Sequence, residues 1–192
     1  MEYGGGEKKD IAVANKQSIR WADFCVRVLA FANTFAAALV LGVDKQTKLI
    51  DIQIVSTLPP VSVPVTANWK YMSAFVYFVV VNSIACAYAA VSLVLMLVAR
   101  GAKSSRMTSL FLIISDLLMM GLLFSGVGAT AAVGLLGFTG NSHLRWNKVC
   151  NVFGKFCAQV GGAIFVSFAG ATFFLLLVLL AALKLHSNNK HH

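Results

Sequence analysis

Hydrophobic positions in this chain fall into four long blocks, at about 22–43, 72–98, 108–138 and 158–183. A helix needs about 20 residues to cross a ~30 Å hydrocarbon layer, and each block has that length. No stretch of ten residues alternates with period two, which argues against a β-barrel. The pattern predicts an all-α integral membrane protein: a four-transmembrane-helix bundle with an extended first extracellular loop. The third block is longer than a span requires, so it either tilts or projects its "AAVGLLGF" end beyond the lipid. The first is too long, and too far from the start of the chain, for a cleaved signal peptide, and is read as a retained span.

Polar positions between the blocks give the organisation. Residues 1–20, "MEYGGGEKKDIAVANKQSIR", read as a mobile cytosolic tail, 21–184 as the transmembrane domain and 185–192 as a second cytosolic tail. The link 44–71 contains "KLIDIQIVSTLPPVSVPV", whose β-branched residues and prolines suit an extended, hairpin-like lid over the bundle. No N-x-[ST] sequon occurs in the chain.

Composition agrees with a membrane protein. The 192 residues are 58% hydrophobic and only 12% charged, about half the charged fraction of a soluble domain. The net charge of +9 is explained by topology and attraction to anionic lipid, so no nucleic-acid partner is expected. With both termini in the cytosol, nine Lys and Arg flank the spans inside and six outside, and the short link "RGAKSSR" weighs most.

Two charges lie within the blocks, Arg27 in the first and Asp116 in the third. Charges inside the membrane are rare, and default to a functional or paired role. Arg27 enters about 9 Å and Asp116 about 12 Å from the same side, at ~1.5 Å per residue. That matched depth predicts an intramembrane ion pair between helices. The competing reading has Arg27 pair with Asp23, four residues earlier on the same face, or snorkel to the headgroups. Asn82, Ser115 and Ser125 read as interhelical hydrogen-bonding groups.

Small residues recur every four positions as Gly121, Ser125 and Ala129 in the third block, and as Ala163, Ser167 and Ala171 in the fourth. Such rows let helix backbones approach closely, within one bundle or between protomers.

The stretch "GNSHLRWNKVCNVFGKFCAQVGGA" before the last span holds Cys150 and Cys157. On the extracellular side they form a candidate disulfide, free or intermolecular thiols being the alternative. In one continuous helix their Cα atoms would stand about 10 Å apart, too far for a bond. A bond therefore needs a non-helical turn, for which Gly154 is well placed. His143 with these two cysteines makes only a weak metal signal, and no metal or other cofactor is expected. Trp146 suits an interface anchor. Cys25 and Cys86 read as packing residues, Cys25 also as an acylation candidate. No catalytic constellation appears, so no enzyme activity is expected.

Taken together, "RVLAF", "SAFVYFVVVNSIACAYAAVSL", "LFLIISDLLMMGLLFSGVGATAAVGLLG" and "GNSHLRWNKVCNVFGKFCAQVGGAIFVSF" resemble the Casparian strip membrane protein family in its CASP-like branch, related to the MARVEL four-helix proteins. The resemblance extends from about Ser18 to Ala182. It implies a plant plasma-membrane scaffold with cytosolic termini that forms homo- and hetero-oligomers with family members. Such a scaffold recruits secreted peroxidases or other wall-modifying proteins. The family's intramembrane Arg and Asp match Arg27 and Asp116. Loop 44–71 departs from the founding members, which points to a CASP-like scaffold rather than an endodermal barrier protein. A small channel or transporter is the competing class, opposed by the absence of proline inside the spans.

Overall fold

The computed structural model describes residues 4–52, 61–98, 106–140 and 148–189. Within them are four long helices: α1 (Gly4–Gly42), α2 (Ser73–Val98), α3 (Arg106–Thr139) and α4 (Gly154–Asn189). The apolar stretches Gln17–Gly42, Ser73–Val98, Met107–Thr139 and Gly154–Leu183 are each long enough to cross a membrane. A two-stranded antiparallel hairpin, β1 (Lys45–Ile52) and β2 (Val61–Asn68), joins α1 to α2. The link 99–105 and the "HLRW" segment with His143 and Trp146 lie outside the described residues.

The helices form a closed ring. α1 packs on α2 and α4, and α3 packs on α2 and α4. Two diagonals therefore cross the interior, α1 to α3 and α2 to α4. In lipid, helix association draws on close packing and on polar contacts rather than on a hydrophobic driving force. Both features are present. Ala163, Ser167 and Ala171 on α4 are fully buried, so that row faces the bundle interior. Beside it on the same helix, Gly170 lies against α1, where an added Cβ would sit 3.2 Å from Thr34 Cγ2. The α3 row faces the other way. Gly121 and Ser125 are exposed, and a Cβ at Gly121 would meet nothing within 4 Å.

The interior has two apolar clusters. Nearer the chain termini, Ala30, Ala85, Ala89 and Ala171 pack with Leu123, Phe174 and Leu177. Nearer the hairpin, Phe75, Phe78, Phe153 and Phe156 pack with Ala37, Leu41, Val160 and Ala163. The hairpin's Val65 and Ala67, with Trp69 just after it, close over this second cluster. That is the lid which the β-branched loop suggested. Its register pairs Lys45 with Asn68 and Ile52 with Val61, and the Thr47 and Thr66 hydroxyls hydrogen-bond across it at 3.0 Å.

Three boundaries differ from the sequence expectation. Helix α1 starts at Gly4 instead of following a 20-residue tail. The segment 7–20 holds no proline and is rich in Ala, Lys, Glu and Gln, which favour helix. Helix α4 starts four residues before the expected span and continues to Asn189. The turn before α4 does not use Gly154 as a left-handed residue. A 3-10 turn at Val149–Asn151 precedes α4, and Gly154 opens α4. Among the described residues the glycine with positive φ is Gly140, at 71°, which ends α3 by returning its N–H to the Leu136 carbonyl at 2.9 Å.

Candidate functional site

The most polar part of the bundle interior lies on the α1–α3 diagonal. Arg27 comes from α1, Asp116 from α3, and Tyr88 and Ser92, one turn apart, from the same face of α2. The guanidinium meets the carboxylate in the two-pronged way its planar fork allows. Nη1 donates to Oδ1 at 3.2 Å and Nη2 donates to Oδ2 at 2.9 Å. Nη1 also donates to Ser92 Oγ at 3.1 Å, and that hydroxyl donates onward to the Ala89 carbonyl at 2.9 Å. Tyr88 Oη donates to Asp116 Oδ1 at 2.7 Å and reaches the Leu112 carbonyl at 3.3 Å.

The Arg27 and Asp116 side chains are 4% and 0% exposed. Removing two charges from water is costly unless geometry and extra hydrogen bonds repay it. Here both carboxylate oxygens are engaged and a hydroxyl supports each partner. The local alternative is present as well. Arg27 Nε lies 3.4 Å from Asp23 Oδ1, but without hydrogen-bond alignment. Asp23 is 29% exposed, so this contact extends the buried pair toward the outside of the bundle. Sequence reasoning named Arg27, Asp116 and Asp23 and missed Tyr88 and Ser92. A polar pair spaced i, i+4 within an apolar span is the signal that marks them.

A neutral tie spans the other diagonal. Ser167 Oγ on α4 donates to Asn82 Oδ1 on α2 at 2.9 Å, while Asn82 Nδ2 donates to the Phe78 carbonyl in its own helix. Ser125, expected to bond between helices, receives the Tyr77 hydroxyl at 3.3 Å on the exposed side. Ala129, the third member of that row, is half-buried.

At the hairpin end, Cys150 and Cys157 are bonded, with Cα atoms 5.6 Å apart. The 3-10 turn supplies the compact path that a continuous helix would deny. Nearby, Gln46 Oε1 accepts the Phe156 N–H at 2.9 Å and so ties β1 to the first turn of α4. Asp44, between α1 and β1, is 3% exposed, and its Oδ2 has no hydrogen-bond partner. Burial pushes its carboxyl up to about 6, against the pull of Lys155. Cys25 is exposed and Cys86 half-buried, both as free thiols. Among the described residues, no three His, Cys, Asp or Glu side chains gather into a group that could hold a metal ion.

Comparison with known proteins places this arrangement. Residues 16–173 match the Casparian strip membrane protein domain, a stretch covering Arg27, Tyr88, Ser92, Asp116 and both bonded cysteines. CASP-like protein 1E2 from Glycine max is 51% identical over 189 residues, spanning 98% of this chain and 100% of the relative. CASP-like protein 1E1 from Glycine max is 52% identical over 187 residues, spanning 97% of this chain and 98% of the relative. CASP-like protein 1E2 from Arabidopsis thaliana is 46% identical over 168 residues, or 88% of each chain. No solved structure matches the chain. With a domain match over most of its length and CASP-like relatives aligned almost end to end, this four-span membrane protein belongs to the Casparian strip membrane protein family.

Proposed function

We propose that the chain is a non-catalytic plasma-membrane scaffold with both termini in the cytosol. It self-associates, and joins other family members, to form a slow-diffusing membrane domain that recruits wall-modifying proteins such as secreted peroxidases. The observation that carries this reading is the contrast between the two small-residue rows. On α4, Ala163, Ser167 and Ala171 are consumed inside the bundle, whereas on α3 Gly121 and Ser125 remain exposed and only Ala129 is half-buried; Gly128 beside that row is exposed too, with open space around both glycines. That face offers close backbone approach to another helix in the membrane. The charged tie supports the same reading. Its groups engage one another, which suits holding a bundle together more than passing an ion or proton through it.

The test is a fluorescent fusion followed by photobleaching, paired with purification of two differently tagged copies. Slow recovery and co-purification are expected, and Gly121→Leu with Gly128→Leu should weaken both. Fast recovery and no co-purification in mild detergent overturn the scaffold reading in favour of a transporter.

A further inference from the structure

Exposed large apolar side chains mark how much of each helix meets lipid, and by that measure α3 stands apart. On α1 they run from Trp21 to Val43, on α2 from Tyr77 to Val98 and on α4 from Phe165 to Leu183. At ~1.5 Å per residue these belts are about 33, 32 and 27 Å tall, which suits a ~30 Å hydrocarbon layer. On α3 the belt runs from Met107 to Phe138, about 46 Å by the same measure. Most of the excess lies at the hairpin end. There a Cβ added at Gly42 of α1 would sit 3.7 Å from Val79, and one at Gly126 of α3 would sit 3.8 Å from the Phe78 backbone, so both helices pass α2 at one level. Beyond it α1 stops, while α3 continues to Thr139. The chain leaves this end of α3 thinly covered. Leu135 and Phe138 are 62% and 68% exposed, at the mouth of a cavity of about 310 Å³ between α3 and the start of α4.

Tilt does not absorb the difference. Bringing α3 to the height of its neighbours takes about 45°, against ~20° for a typical span. The ring tilts as a unit, and that angle would draw the exposed Arg20 and Lys45, which bracket the belt of α1, into hydrocarbon. A kink does not absorb it either, since α3 is one helix without proline. In an ordinary bilayer the lipid beside α3 must therefore thicken, and such mismatch drives helices together. A surface of equal height relieves it, and among the described helices that surface is α3 of a second copy. A two-fold axis along the membrane normal sets the two α3 helices parallel, with both Met107 residues level and both Phe138 residues level. The exposed face suits that pairing. From Phe111 to Leu135, exposed residues recur at alternating steps of three and four, the straight seam that a parallel partner helix meets.

Resting on the self-association read above, we propose that bilayer thickness regulates it. In an ordinary bilayer the tall α3 face of one copy is covered by the same face of another. In a thicker bilayer lipid covers that face, and the copies part. Copies then gather where the membrane is thin and disperse where it is thick.

The test reconstitutes the full chain, as a mixture of two fluorescent labels, into dipalmitoleoyl, dioleoyl and dierucoyl phosphatidylcholine, in order of increasing thickness. Energy transfer between copies reads association. The apparent dissociation constant should rise at least about tenfold from the thinnest bilayer to the thickest. Leu135→Ser with Phe138→Ser shortens the tall belt at exposed positions and should flatten that dependence. A second measurement fixes the face. In a Cys25→Ser background, Leu135→Cys should crosslink copies through a bismaleimide in the thinnest bilayer and far less in the thickest. Phe165→Cys on α4 should crosslink in neither. Association of equal strength in all the bilayers, or strongest in the thickest, overturns the proposal and leaves self-association standing. So does crosslinking through Phe165→Cys in place of Leu135→Cys. Absence of energy transfer in every bilayer overturns the self-association reading, and this proposal with it.

Discussion

The two ends of the bundle are held by different chemistry. Toward the chain termini, alanines at 30, 85, 89 and 171 bring the backbones close, and the Arg27–Asp116 pair crosses the ring with hydroxyls on both partners. Toward the hairpin, four phenylalanines fill the interior and a covalent bond ties the start of α4 to the turn before it. Small side chains leave little space and make a polar tie worthwhile, because an ion pair needs close and fixed partners. Large rings meeting at angles leave gaps, and the 310 Å³ cavity lies at that end. One end is specified by charge geometry, the other by shape and a crosslink.

Breaking the charged end should have the largest effect. Arg27→Ala or Asp116→Ala leaves a buried charge without its partner, a loss of about 3–5 kcal/mol. Melting in detergent should fall sharply for each, and the charge-swapped pair Arg27→Asp with Asp116→Arg should recover part of it. If Asp116→Asn leaves the melting temperature unchanged, the pair does not hold the bundle. The disulfide comes next. Cys150→Ser with Cys157→Ser removes a loop constraint worth about 2.5 kcal/mol on the chain-entropy model. Protection of α4's first turns from hydrogen exchange should drop, while that of the Arg27 region stays. A membrane-impermeant maleimide should label both cysteines on intact cells only after reduction. Labelling without reductant would refute the bond, and no labelling even after reduction would count against its placement outside the cell.

A finer comparison sets the charged tie against the neutral one. Tyr88→Phe removes one hydrogen bond to a carboxylate, and such bonds contribute about 1.5–3 kcal/mol. Ser167→Ala removes a neutral bond between helices, about 0.6 kcal/mol on average in a membrane. Thermal melting of the two variants side by side should rank them in that order. Equal losses would mean that Tyr88 does not support Asp116.

What was legible in the sequence follows the same division. Arg27 and Asp116 stood out because charges inside apolar spans are rare. Matched depth then pointed to their pairing across a diagonal that no local rule supplies. Tyr88 and Ser92 escaped because single hydroxyls are ordinary in membrane helices; their spacing of four marks a shared face, and the position of Asp116 in space shows what that face meets. The small-residue rows carry the opposite lesson. Spacing of four says that residues share a helix face but not what the face meets. Rows of equal spacing turn inward on α4 and outward on α3. Gly154 suited a non-helical turn on composition alone, yet the non-helical element between the two cysteines is a 3-10 turn at Val149–Asn151 that needs no special residue, and Gly154 itself opens α4. The buried state of Asp44 was not readable at all, since it arises from the hairpin and α4 folding back on the end of α1.

Asp44 gives the most local prediction, and the smallest in overall stability. Its carboxyl rests at about 6, against an ordinary value of 3.8, because burial disfavours the charge more than Lys155 stabilises it. Between those two values the folded protein binds more protons than the unfolded chain. Stability therefore rises as pH falls from above 6 toward 4, and is flat on either side. The change should be felt where Asp44 and Gln46 meet α4, and only weakly in the four spans, which open in separate units if at all. Hydrogen exchange at Gly154–Ala158 should slow at pH 5 relative to pH 7.5, after correction for the intrinsic pH dependence of exchange. Asp44→Asn mimics the protonated group, so it should show the slower exchange at both pH values. A variant that keeps the parent's full pH response would move the titration to another group and leave Asp44 a structural residue of the turn.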